Sequence, residues 1–170
     1  MELIFNKELI NEKELSEYLK EKEITIPNYR CAVIALITDV NGQVLLQRRG
    51  PKSRDECNKL ADIGGAFEKG DLNFKEALFR EIHEEVGRKA KIEVEKFVGC
   101  FWHCKYEPRS KKDVNWLFLV YKCKYIEGSL LYNEPGKCLG YEFYQKDKLP
   151  KSEMLETTCG FWDYYLKSER

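Results

Sequence analysis

Three glutamates, Glu81, Glu84 and Glu85, fall within five positions of a stretch whose apolar residues recur at helical spacing. On a helix turning about 100° per residue, Glu85 lies about 40° from Glu81, and Glu84 about 60° from it on the other side. All three therefore share one face. Carboxylates this close repel one another, and a divalent cation reverses that penalty. Oxygen-only donors suit Mg²⁺ or Mn²⁺, and Mg²⁺ is commonly held jointly by carboxylates and substrate phosphates. Arg80 reaches Glu84 one turn on, where its fork can orient a carboxylate. Upstream, the Gly64-Gly65 pair lets backbone approach a ligand closely and can add a carbonyl to a metal shell. Two adjacent glutamates on a helix are usually a solvated face. A glycine turn, an Arg-Glu pair and a double Glu in this order are far more specific.

The helix that carries these acids is expected over Phe74 to Val86. Phe74, Ala77, Leu78, Ile82 and Val86 repeat every three or four residues, and Gly87 stands where a C-cap belongs. Its apolar face needs a sheet to dock on. Residues 29–38 (YRCAVIALIT) and 43–48 (QVLLQR) read as strands, joined through Asn41-Gly42 as a hairpin. Residues 61–71 hold a short strand and a glycine-rich turn, and 92–106, 114–125 and 139–145 are further strands. A charged helix is expected over residues 11–23, with Asn11 as cap and Glu14 as the capping-box acid. A closing helix is expected over 152–167, with Ser152 as cap. Strands around an internal helix, with helices at both ends, predict an α/β fold with helices covering both faces of a mixed sheet.

Composition narrows the function classes. The chain has 170 residues, enough for one domain and short for two. Lys plus Arg and Asp plus Glu are both 29, so no excess of positive charge points to bulk nucleic-acid binding. No eighteen-residue apolar run predicts a membrane span. The N-terminal MELIFNKELINEKEL carries acids and does not read as a secretory signal. Seven scattered cysteines, an odd number, suit reduced thiols in a cytoplasmic protein. Cys100 and Cys104 flank His103, but no second ligand pair completes a zinc site.

The run Gly65 to Gly87 resembles the Nudix hydrolase box. That box reads G, five residues, E, seven residues, then R-E-apolar-x-E-E-x-G-apolar. Gly65 matches its first glycine, and Arg80, Glu81, Ile82, Glu84, Glu85 and Gly87 match its second half without gaps. Three positions depart from it. The first acid is Asp71 rather than Glu, eight residues rather than seven separate it from Arg80, and the last apolar position is Arg88. Asp71 can also be read as an acid at the N-terminus of the helix, favoured by the macrodipole.

The resemblance implies a single Nudix domain over residues 1–170, built as an α/β/α sandwich with a mixed β-sheet between helices. It implies Mg²⁺-dependent hydrolysis, with Mn²⁺ as a substitute, of a pyrophosphate bond in a nucleoside di- or triphosphate or a related small molecule. Gly65, Glu81, Glu84 and Glu85 inherit the metal, and Arg80, Glu81 and Glu84 the catalytic roles. Glu81 is one candidate base; Glu107, Asp113 and Glu142 are others. The resemblance also allows a homodimer.

Substrate contacts are expected from the basic loop of Arg48, Arg49, Lys52 and Arg54, with Arg48 foremost, and from Trp102, Tyr106 and Trp116 as stacking faces. The stretch Glu134, Pro135, Lys137, Cys138, Tyr141, Glu142 and Phe143 is similar to one in Nudix nucleotide pyrophosphatases, which places Glu142 and Phe143 near the base. A non-catalytic Nudix domain that senses a nucleotide or binds a partner is the alternative. Isopentenyl diphosphate isomerase shares the fold, but its cysteine motif is absent here.

Overall fold

In the computed structural model, which describes all residues except 55, 108, 109, 132 and 134, the chain runs β1 (Glu2–Phe5), α1 (Glu12–Glu21), β2 (Arg30–Thr38), β3 (Val44–Arg49), β4 (Leu60–Ala61), β5 (Ile63–Ala66), α2 (Phe74–Val86), β6 (Lys91–Glu107), β7 (Lys112–Glu127), β8 (Cys138–Tyr144) and α3 (Glu156–Ser168). The strands form one sheet in the order β1-β6-β7-β2-β3-β4, with β5 also paired to β2 and β8 to β3. β2 and β7 are parallel, and the other pairings between these strands are antiparallel.

β2 shows why the sheet is covered on both sides. Its side chains alternate, as a pleated strand requires. Val33, Ala35 and Ile37 pack with Leu15 and Leu19 of α1 and Ala77, Leu78 and Ile82 of α2. Leu36 faces the other way and packs with Phe161 and Trp162 of α3. Burial on both faces explains why RCAVIALIT is a nearly unbroken apolar run. The result is the expected α/β/α sandwich.

The hairpin between β2 and β3 forms at Asn41-Gly42. Asp39 Oδ1 accepts from the N–H groups of Asn41 (2.9 Å) and Gln43 (2.7 Å), and Gly42 takes φ of +79°. Only Ile37–Leu45 and Thr38–Val44 pair across it. Beyond them the two strands splay apart. The chain fills the fork by pairing β4 with β3 and β5 with β2.

Two expectations are corrected. The closing helix begins at Glu156, not 152, and Leu155 is its N-cap residue without a side-chain cap. The preceding segment is drawn to β4 instead: Leu60 N–H donates to Glu153 O (2.8 Å), and Leu155 N–H to Leu60 O (2.9 Å). The N-terminal strand β1, which pairs with β6, was not expected, because four residues give too short a pattern to read.

All seven cysteine thiols are unbridged. Among the described residues no helix is long and apolar enough to cross a membrane.

Candidate active site

The sequence builds α2 from both ends. Asn73 caps it by accepting the N–H of Glu76 at 2.8 Å, and Gly87 ends it at φ +86°. Its apolar face is fully buried, so the helix has no freedom to roll, and the acid face is pinned at the edge of β5.

Each acid has its own environment. Glu85 is held from two sides, by Gln47 Nε2 at 2.9 Å and by the Gly64 N–H at 2.8 Å. Glu84 is half exposed. Glu81 is buried, and that burial raises its carboxyl above the ordinary value despite the neighbouring Arg80. A raised carboxyl is a better proton acceptor near neutrality.

Arg80 organises this cluster. Its Nη1 donates to Glu81 at 2.7 Å and to Glu84 at 3.3 Å, and its Nη2 donates to Ala66 O at 2.9 Å. Nε and Nη2 also form two parallel bonds to Asp71, each 2.9 Å. These bonds hold the Asp71 carboxyl below its usual range. Asp71 is therefore not a helix-terminus acid. It precedes the cap and clamps Arg80, and the extra residue before α2 is taken up by the loop.

These acids line a cleft of about 420 Å³. Gly64, Gly65, Glu68, Glu81, Glu84 and Glu85 form one part of it. Arg49, Arg54, Lys105 and Lys137 supply positive charge, and Trp116, Phe118, Tyr106 and Phe161 supply flat apolar walls. A second hollow of about 300 Å³, by His83 and Arg88, contains none of these acids.

Among the described residues, no group of three or more His, Cys, Asp or Glu side chains is arranged to hold a metal ion. Arg80 and the Gly64 N–H occupy the carboxylates instead. The residues nevertheless fit a hard divalent cation. All the acids present oxygen donors, and a Cβ added at Gly65 would stand 2.5–2.6 Å from the Glu81 carboxyl atoms. Only glycine leaves that carboxylate its space.

The expected substrate residues separate into two sets. Arg48 turns away from the cleft: it pairs with Glu142 at 2.5 and 3.1 Å and with Glu153 at 2.9 Å. Strand alternation sends its neighbours Gln47 and Arg49 into the cleft instead. Glu142 is committed to Arg48 and the Tyr144 hydroxyl. Phe143 lies beside Tyr125, and Trp102 donates to Asn115 Oδ1 at 3.0 Å; neither lines the cleft. Of the three other candidate bases, only Glu107 faces the cleft, ion-paired with Arg54 and with Arg30 at 3.6 Å. Asp113 is exposed on β7. Glu134 lies outside the described residues.

Sequence reasoning missed Asp62, Glu68, Lys105 and Phe118 as cleft residues. The one visible signal was Asp62, a lone acid between Leu60-Ala61 and Ile63. It is buried, its Oδ1 accepts from Trp162 Nε1 at 2.8 Å, and burial pushes its carboxyl up to about 7.

A family profile described as the NUDIX domain matches residues 28–158. Solved structures with the same architecture include the MutT protein from Methanosarcina mazei Go1 (TM-score 0.68, 21% identity, 86% of this chain and 99% of that one). The MutT NUDIX hydrolase from Burkholderia pseudomallei is similar over 79% of this chain and 96% of its own (TM-score 0.63, 22% identity). So is the NUDIX domain of Shewanella oneidensis NrtR, complexed with ADP ribose (TM-score 0.65, 12% identity, 91% of this chain and 98% of that one). At these identities the likeness shows the fold. No curated protein matches the chain. The profile covers most of the chain, including the glycine turn, Arg80 and the three helix glutamates, and on that match the chain belongs to the NUDIX domain family, that of the Nudix hydrolases.

Proposed function

We propose that the chain hydrolyses a pyrophosphate bond in a nucleoside di- or triphosphate, or in a related diphosphate-linked small molecule, with Mg²⁺ and with Mn²⁺ as a substitute. The observation that carries this reading is the make-up of one cleft. Glu81, Glu84 and Glu85 face it beside Gly65, Arg49, Arg54, Lys105 and Lys137 border it, and Trp116 and Phe118 wall it. Carboxylates suit a cation that bridges to phosphate, basic side chains suit the remaining phosphate charge, and flat rings suit a base.

Glu81, Glu84 and Glu85 would hold the cation, with the Gly65 backbone as a further oxygen donor. When bound, the cation would neutralise phosphate charge and lower the pKa of a coordinated water. Glu81, buried at the cleft beside Gly65, is placed to accept a proton from the attacking water. Arg80, anchored on Asp71, keeps Glu81 and Glu84 aimed at the same place.

Arg80 bonded to both Glu81 and Glu84 favours one second reading, nucleotide binding without turnover. A phosphate-release panel separates the two. It would cover nucleoside triphosphates, oxidised nucleotides, ADP-ribose, dinucleoside polyphosphates and sugar nucleotides, with Mg²⁺, Mn²⁺ or chelator, beside Glu85→Gln. Metal-dependent turnover lost in the variant is the expected result. Binding without turnover under either metal would instead establish the second reading.

A further inference from the structure

Asp62 sits where the sheet divides. It is the single residue between β4, which pairs with β3, and β5, which pairs with β2. Neither strand meets its backbone. Its N–H goes to Thr158 Oγ1 at 3.3 Å on α3, and its carbonyl accepts from Gln47 Nε2 at 3.4 Å. Its side chain is used by half: Oδ1 is held by Trp162, while Oδ2 is buried and has no hydrogen-bond partner. Among the described residues the other such side-chain atom is the Tyr121 hydroxyl, which lies in the core under α1 and α2 and not in the cleft.

An unpartnered buried oxygen costs about 1–3 kcal/mol. Trp162 accounts for one oxygen of the carboxyl and leaves the other without a structural role. The surroundings give a reason for it. Ala32, Ile34, Phe118 and Phe161 line the same cleft and offer no polar side-chain atom. Gln47, Thr157 and Thr158 line it too, so Asp62 is one of a few polar groups set among apolar walls, the usual form of a site that orients a planar ligand. Three residues of extended chain, roughly 10 Å, separate Asp62 from Gly65 beside Glu81, a span comparable with a nucleoside.

We propose that Asp62 is a specificity-determining residue whose free oxygen hydrogen-bonds the polar edge of the substrate's heterocyclic base. The proposal rests on the reading of the cleft as a nucleotide site. The carboxyl torsion is broad, so a small rocking about the Trp162 bond brings Oδ2 to a base seated on the cleft floor. A site built to hydrogen-bond its ligand discriminates strongly, because a wrong base leaves its polar group unpaired.

The test compares wild type with Asp62→Leu and Asp62→Asn. Calorimetry measures binding of the α,β-methylene analogues of ATP, GTP, CTP and UTP, with inorganic tripolyphosphate as the base-less control. Wild type should distinguish the four bases. Asp62→Leu should bind the preferred one about 10- to 100-fold more weakly, level the differences among the four, and leave tripolyphosphate unchanged. Asp62→Asn, nearly isosteric, exchanges an acceptor for a donor at pH 8, where the carboxyl is ionised, and should reorder the preference measured there; it keeps the test open where leucine disturbs folding. Unchanged ratios among the four bases in both variants would overturn the proposal, as would an equal loss for tripolyphosphate. Wild type that binds tripolyphosphate but none of the four nucleotides would instead defeat the nucleotide reading, and the proposal with it.

Discussion

Asp71 and Arg80 stand nine residues apart and meet through two parallel hydrogen bonds of 2.9 Å each. The sequence places a shorter acid than the family box and one more residue before the arginine. These departures meet in this pair: the loop with the extra residue carries the shorter side chain to the Arg80 guanidinium. Asp71 is nearly inaccessible, and Arg80 is about one quarter exposed. Asp71→Ala should therefore lower stability by about 2–3 kcal/mol. Without Asp71, Arg80 closes further on Glu81 and Glu84, so activity should fall as well. A thermal-melt cycle with Arg80→Ala checks this. The double variant should lose clearly less than the sum of the two single losses, and strict additivity would show that the pair is not coupled.

The two adjacent glycines should fail in different ways. A Cβ at Gly64 would stand 2.2 Å from Val33 O, at a backbone φ of +150°, so Gly64→Ala should damage the fold itself. The three atoms nearest a Cβ at Gly65 all belong to the Glu81 carboxyl, at 2.5–2.6 Å. Gly65→Ala should melt close to wild type while kcat/KM falls about 100-fold, through displacement of Glu81. Melting curves and turnover measured on the same preparations distinguish the two. A Gly65→Ala protein with full activity would remove Glu81 from the proposed machinery.

Glu84 and Glu85 differ in how the fold uses them. Glu85 accepts from Gln47 and from the Gly64 N–H, whereas Glu84 is half exposed. Glu85→Gln turns one acceptor into a donor that faces another donor, and should cost about 1–2 kcal/mol. Glu84→Gln should change stability by less than about 0.5 kcal/mol. Both should lower kcat by about 100- to 1,000-fold, and both should weaken Mn²⁺ binding measured by calorimetry. Equal stability losses would contradict the separate environments.

What the sequence made legible follows from how local each signal was. The cap at Asn73, the apolar period from Phe74 to Val86 and the stop at Gly87 lie within one element, and α2 forms over those residues. Asn41-Gly42 likewise fixed the hairpin. Arg48 shows the limit. Strand alternation decides which of Gln47, Arg48 and Arg49 faces the cleft, but a strand read from one sequence does not say which side is the cleft. Arg48 therefore stood out by charge and by position, yet the register with β8 gives it to Glu142. Trp102 and Trp116 pose the same problem on β6 and β7: similar aromatic residues, of which only Trp116 lines the cleft. Asp62, a lone acid in an apolar run, could be seen but not interpreted, for another reason. Its environment comes from Thr158 and Trp162, about a hundred residues away, and no local pattern announces them.

Asp62 also gives the protein a pH dependence of calculable sign. Its carboxyl sits at about 7 in the folded chain against an ordinary 3.8. Below the ordinary value the group is protonated in both states and costs nothing. Between the two values the unfolded chain releases the proton and the folded chain keeps it. Stability from this group is thus lost by about 1.4 kcal/mol per pH unit over that window, on the order of 4 kcal/mol in all, and is flat above it. Asp71 and Glu142, both held low by arginines, act in the opposite sense at acid pH, losing their contribution as pH falls. Asp62→Asn removes the first effect and leaves the second. The variant should match wild type near pH 4 and exceed it by a few kcal/mol at pH 8, as followed by denaturant unfolding across that range. A difference that stays constant with pH would show that Asp62 is ionised in the folded protein throughout, its charge met by a partner in solution.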